Sequence, residues 1–172
     1  MVRRFGLGGR FPDSSTIFYD MIKHLNHAVL KVRDLERSIR FYERVLGLEL
    51  IARERGTMAF LRAPGSSNHH DLGLFAIGAN APDAPKRAPG LFHLAWEVDA
   101  IKDLATMRAR LTEAGALSGA SDHGATKSLY GVDPDGNEFE VTWLVPKADW
   151  GEFDQQAVTL PLDLDRDLAR WG

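Results

Sequence analysis

Six histidines stand at positions 24, 27, 69, 70, 93 and 123, and two glutamates, Glu138 and Glu140, sit one residue apart near the end of a regular apolar–polar run. Cysteine is absent. That removes disulfides, thiolate zinc sites and cysteine nucleophiles together. Any metal must therefore be held by His, Asp or Glu. Two imidazoles and one carboxylate, with coordination positions left open, form the arrangement suited to Fe(II), and the same donors suit Mn(II). A neutral His supplies a nitrogen lone pair, and a Glu offsets part of the metal's charge. The chain has no GxGxxG after a strand, no P-loop, no GxSxG and no HExxH, so the nucleotide, hydrolase and zincin motifs are missing.

Chemistry needs elements to position it. In residues 23–32, Ala28, Leu30 and Val32 alternate with His27, Val29 and Lys31, which is a strand pattern. Asp34 follows at an N-cap position. Leu35, Ile39, Tyr42 and Leu46 then form a helical stripe that ends at Gly47, a residue suited to a left-handed C-terminal turn. Three short strands are predicted over 48–54, 57–63 and 71–77. The pattern then repeats: Phe92, Leu94, Trp96 and Val98 alternate with His93, Ala95 and Glu97, and Asp99 is the next N-cap candidate. Ile101, Leu104, Ala105, Arg108 and Leu111 make a stripe closed by Gly115. Strands follow over 116–121, 127–132 and 137–144. The order β-α-β-β-β thus occurs twice, and His27 and His93 occupy matching places in the two units.

Strand parity sorts the side chains. In each first strand the apolar set faces the helix of its unit, and His27 and His93 face the other way. In the last strand Phe139, Val141 and Trp143 share one parity, while Glu138, Glu140 and Thr142 share the other. Pairing of the two units into a curved sheet would bring His27, His93 and Glu140 onto its concave face. Glu138 is the rival carboxylate, but it adjoins the turn Asp133-Pro134-Asp135-Gly136-Asn137, where solvent is the simpler environment. His69, His70 and His123 lie at strand ends, within reach of a cavity. Tyr130 lies on the strand before the turn and can donate a hydrogen bond to an oxygen atom in the site.

Composition limits the alternatives. The 172 residues carry a net charge of −3, with 44% hydrophobic and 26% charged residues. That suits a folded domain and argues against a disordered chain or a nucleic-acid binder that works by bulk charge. No window approaches the length of a membrane span, and the basic start Val2-Arg3-Arg4 has no apolar region behind it. A cytoplasmic location is the expectation. Residues 1–20 read as a flexible N-terminal extension and 21–145 as the folded domain. Its first module covers 22–78, a linker 79–90 and a second module 91–145. Residues 146–172 form a tail whose Trp150, Phe153, Leu160, Leu162, Leu164 and Trp171 are apolar enough to dock on the domain or on a partner chain.

Asn26-His27-Ala28-Val29-Leu30-Lys31-Val32-Arg33-Asp34-Leu35, with Phe41-Tyr42 and Leu46-Gly47-Leu48 behind it, resembles the vicinal oxygen chelate superfamily, and so does Tyr130-Gly131-Val132-Asp133-Pro134-Asp135-Gly136-Asn137-Glu138-Phe139-Glu140. That superfamily includes glyoxalases, bleomycin resistance proteins and extradiol dioxygenases. The resemblance covers about residues 22–145 and implies an α+β fold of paired βαβββ modules forming a cupped mixed sheet with helices on its outer face. His69-His70-Asp71-Leu72-Gly73-Leu74-Phe75 and Asp122-His123-Gly124 followed by Tyr130 are most similar to the catechol 2,3-dioxygenase type. The resemblance implies His27, His93 and Glu140 as metal ligands, His70 as the acid/base residue, and His123 and Tyr130 as supporting catalytic groups. It implies Fe(II), with Mn(II) as the alternative, and a small aromatic substrate, a catechol, cleaved with O₂.

The chain departs from that pattern in two places. Extradiol ring-cleavers mostly carry four modules, and this chain shows one pair. Glyoxalase-type members add a fourth protein ligand, and Gly73, at the nearest equivalent place, cannot ligate; Asp71 and Glu138 are the nearby carboxylates. A metal-dependent lyase or isomerase of the glyoxalase or epimerase kind, and a metal-free binding protein of the resistance type, remain the alternatives. No nucleic-acid or membrane partner is expected. A homodimer is, with one chain helping to wall the other's site.

Overall fold

The computed structural model describes residues 22–172 apart from Lys86 and Ala88. The extension expected over residues 1–20 lies outside the described residues. The order β-α-β-β-β does occur twice. Unit one comprises β1 (Ala28–Val32), α1 (Leu35–Phe41), β2 (Glu49–Glu54), β3 (Met58–Arg62) and β4 (Leu72–Ala76). Unit two comprises β5 (Leu94–Val98), α2 (Ile101–Glu113), β6 (Leu117–Asp122), β7 (Thr126–Val132) and β8 (Glu138–Leu144). The expected α+β class and the mixed strand directions hold. The strands divide into one four-stranded sheet per unit, ordered β1-β4-β3-β2 and β5-β8-β7-β6. In each sheet the first pair is parallel and the others antiparallel. No helix or strand is assigned to the described residues of 79–90.

The helices obey local rules unequally. Asp34 caps α1 as expected, its carboxylate accepting the Arg37 N–H at 2.9 Å. The helix then widens into a π turn over Tyr42–Leu46 before Gly47, whose φ of 75° is the left-handed conformation expected there. One extra residue per turn rotates the stripe, so Val45 is buried and Leu46 only half-buried. In α2 the expected Asp99 cap is not formed. Two residues separate strand from helix in both units, and Asp99 is the first of its two, so Ala100, the second, occupies the N-cap with no side-chain bond. Met107 fills the buried position of the stripe and Arg108 is exposed.

Each unit has its own apolar core between helix and sheet. Leu30, Val32, Ile39, Tyr42, Leu61, Leu72 and Leu74 form the first, and Ile101, Leu104, Leu111, Leu129, Phe139 and Val141 the second. The units meet through the α1 side. Phe41 packs edge-on against Phe139 with ring centroids 6.0 Å apart, and it touches both cores. The Asp133–Asn137 turn of unit two closes the junction. Asp133 accepts the Tyr42 hydroxyl at 3.1 Å. Asp135 accepts Arg37 at 2.6 Å and the Arg33 N–H at 3.2 Å. The tail returns over unit two: Leu160 exchanges two backbone hydrogen bonds with Asp122, at 2.8 and 2.9 Å, and a helix α3 (Leu164–Trp171) packs on α2. No helix among the described residues is long and apolar enough to cross a membrane.

Candidate functional site

Glu140 lies in the middle of β8, opposite Ala95 of β5 on one side and Tyr130 of β7 on the other. His93 immediately precedes β5. The parallel register lets its ring lean over Glu140, and Nε2 comes within 3.0 Å of Oε2. Its Nδ1 is buried with no hydrogen-bond partner among the described residues. Tyr130 stands beside His93, ring centroids 5.9 Å apart. The Tyr130 hydroxyl contacts His123 Nε2 at 2.8 Å, and His123 Nδ1 contacts the Val158 carbonyl at 2.7 Å. Burial pushes the Tyr130 phenol above its usual value, and the Glu140 charge pushes the same way. The phenol therefore keeps its proton throughout the neutral range. His93, Glu140, Tyr130 and His123 form one cluster on the face of unit two turned away from α2.

His27, His69 and His70 form a second cluster in unit one. His27 precedes β1 and is exposed; its Nδ1 is 2.8 Å from Asn26 Oδ1. Its ring lies 4.4 Å from that of His70, which also packs at a tilt against Phe60 at 4.8 Å. His69 and His70 share a hydrogen bond between their Nδ1 atoms at 3.0 Å, and His70 Nε2 is buried without a partner among the described residues. Burial lowers the His70 pKa below the usual imidazole value, and the neighbouring His27 and His69 lower it further. His70 is thus a neutral imidazole at pH 7, able to accept a proton.

The expected convergence of His27, His93 and Glu140 does not occur within one chain. Among the described residues, no three His, Asp or Glu side chains come close enough together to hold a metal ion. The cause lies in the packing. The two units join through α1 and the Asp133–Asn137 turn, not through the faces that carry the histidines. Asp71 is taken up structurally: it accepts Ser66 Oγ at 2.7 Å, Asn68 Nδ2 at 2.8 Å and the Ala63 N–H at 2.9 Å. Burial would raise its pKa, but those donors outweigh burial and hold it below the usual carboxylate range. Gly73 has no side chain to ligate with, and a Cβ there would lie 3.0 Å from the Val29 side chain and would have to push it aside. Glu138 is exposed, as expected.

The chain belongs to the glyoxalase/bleomycin resistance protein/dioxygenase superfamily, whose family model matches residues 24–141. It is 34% identical over 128 residues to a catechol-2,3-dioxygenase from Bacillus subtilis (strain 168), covering 74% of this chain and 44% of that one. It is 32% identical to the glutathione transferase FosA from Serratia marcescens, covering 70% of this chain and 81% of that one. Among solved structures, the glyoxylase/bleomycin resistance protein/dioxygenase domain from Frankia sp. EAN1pec aligns with a TM-score of 0.62 at 28% identity, covering 72% of this chain and 99% of that one. The chain spans between 36% and 61% of the length of the curated dioxygenases it matches.

Proposed function

We infer that the chain is a metal-dependent extradiol-type dioxygenase that opens a catecholic ring with O₂. The observation that carries this reading is the His93–Glu140 pair beside the Tyr130–His123 hydrogen bond. Two donors each ~2.1 Å from one divalent ion, at right angles, lie ~3 Å apart. His93 Nε2 and Glu140 Oε2 have that spacing, so the residues present fit two of three ligands. His27 is the third, and it comes from a second copy. In a two-fold dimer, unit one of each chain closes over unit two of the other. Val29, Phe75 and Ile77 of unit one and Leu91 and Phe92 beside His93 are exposed apolar residues, the kind of surface such a partner covers.

Bound Fe(II) or Mn(II) would supply a point at which both hydroxyl oxygens of a catechol and O₂ are held together. The chain's own groups do the rest. Glu140 offsets the cation's charge. Neutral His70 takes a proton from the ring hydroxyl at Nε2 and can return it later. Phe60, Val29 and Phe75, on the open face of unit one, exclude water and give the ring an apolar wall. Catechols offered to protein loaded with Fe(II) or Mn(II), with O₂ uptake and the yellow ring-opened product as readouts, test the reading directly. Silence across a broad panel would overturn it.

A metal-dependent transferase, lyase or isomerase that needs no O₂ is the second reading. One observation favours it: the match covers 81% of the length of the FosA relative, against at most 61% of the dioxygenases. Turnover under anaerobic conditions would select it, and full ligand binding by metal-free protein would select a binding protein instead.

A further inference from the structure

The tail reaches the site at one atom, and that atom decides a direction. A carbonyl oxygen only accepts, so the 2.7 Å contact between His123 Nδ1 and Val158 requires Nδ1 to carry the proton. In the neutral ring Nε2 is then the acceptor, and the 2.8 Å partner facing it, the Tyr130 hydroxyl, must donate. Three further contacts keep the tail in register with the His123 loop. Leu160 and Asp122 exchange their two backbone hydrogen bonds. Phe153 lies against Gly124, leaving no space for a Cβ there. Arg166 of α3 reaches Asp122 at 3.0 Å, and Asp122 in turn holds the buried Lys127.

We propose that the C-terminal segment sets the hydrogen-bond polarity of the site: the Val158 carbonyl fixes His123 as its Nδ1–H tautomer, the Tyr130 hydroxyl donates to Nε2, and the Tyr130 oxygen, with Ser121 on one side, keeps a lone pair to accept a hydroxyl of the substrate. Tyr130 therefore recognises a donor, not the bare oxygen that its residue type first suggested. Val158 and Leu160 are positioning residues that act through His123. This assignment rests on the dioxygenase reading for its substrate, since a catechol brings the required hydroxyl, but the tautomer itself does not depend on it.

The test is ¹⁵N NMR of the full chain labelled at histidine, with His123 assigned by its loss in His123→Ala. The expected result is an Nδ1–H ring in the unaltered protein and in Tyr130→Phe, and loss of that tautomer in Leu160→Pro, which cannot donate to Asp122. An Nε2–H ring in the unaltered protein, or a tautomer lost with the Tyr130 hydroxyl and kept in Leu160→Pro, overturns the proposal. Kinetics give a second arm. Leu160→Pro should lower kcat by about tenfold with KM within about twofold, yet change kcat less than about twofold in a His123→Ala background. Equal losses in both backgrounds would mean that the tail acts on the fold and not through His123. If no catechol turns over at all, the dioxygenase reading fails, while the tautomer result still decides the role of the tail.

Discussion

The two units share one chain order but hold their chemistry in opposite ways. In unit two each site residue is tied to another: His93 to Glu140, Tyr130 to His123, His123 to the tail. In unit one His27 is exposed at a strand end, with a hydrogen bond to Asn26 and the His70 ring beside it. On the proposed function, unit two carries a preformed half-site, and unit one carries a donor presented outward with an apolar face around it. The strand and helix order is the same in both units; the tail packs on unit two, and the Asp133–Asn137 turn belongs to it.

The largest effects should break or confirm that division. Glu140→Gln or His93→Ala should lower metal content by at least about tenfold, since even losses among groups behind the ligands cost 10–100-fold. Glu138→Gln, at an exposed position, should leave metal content unchanged. His27→Ala alone should also strip the metal. Mixing His27→Ala chains with His93→Ala chains should restore about a quarter of the sites, because half the dimers are mixed and each has one intact site. Metal analysis of the refolded mixture reads this out. No recovery would mean that His27 and His93 do not serve a common site across two chains.

The supports of the two units differ as much as their sites. Asp122 in unit two pairs with Lys127 at 2.5 Å, both nearly inaccessible to water. Burial would raise the Asp122 pKa, but Lys127, the Gly124 N–H and Arg166 hold it below the usual carboxylate range. Asp122→Asn should cost about 3–5 kcal/mol in urea unfolding, because it strands a buried ammonium. The depressed folded value means that the stabilisation is present above the unfolded value of about 3.9 and is lost as pH falls through the folded one. Wild type and Asp122→Asn should therefore differ most near neutrality and begin to converge only as the pH falls below about 4. The Arg62–Glu49 pair of unit one is open to solvent, and Arg62→Ala should change nothing measurable.

The junction between units comes next in size. Tyr42→Phe removes the hydroxyl that donates to Asp133 but leaves Asp133 with the Asn137 side chain and two backbone N–H groups. A loss of about 1 kcal/mol is expected by chemical denaturation. This junction also marks what the sequence could convey. Strand and helix order, the turns at Gly47 and Gly115, and the shared face of Glu140 and His93 follow from periodicity and residue type, and all were legible. The Asp133 and Asp135 latch was legible only as a turn, because its partners lie 91 to 102 residues away. The role of Val158 was invisible because a backbone carbonyl has no residue type. His27 failed to join His93 because parity sets a face and says nothing of which faces meet.

The smallest prediction returns to the two helices. Asp34 stands immediately before α1, whereas Asp99 stands two residues before α2, with Ala100 at the place matching Asp34, and only Asp34 receives a backbone N–H. Asp34→Ala should therefore cost about 1 kcal/mol, and Asp99→Ala should cost nothing resolvable by thermal unfolding. Ala100 has the extended backbone of an N-cap, with φ −136° and ψ 153°, and Asp103 stands three residues on. A hydroxyl at position 100 would face the free N–H groups of the first turn. Ala100→Ser should accordingly stabilise the protein by about 0.5–1 kcal/mol and give α2 the cap that α1 already has. If Asp99→Ala proves the costlier of the two aspartate changes, α2 starts one residue earlier and the two units cap their helices alike.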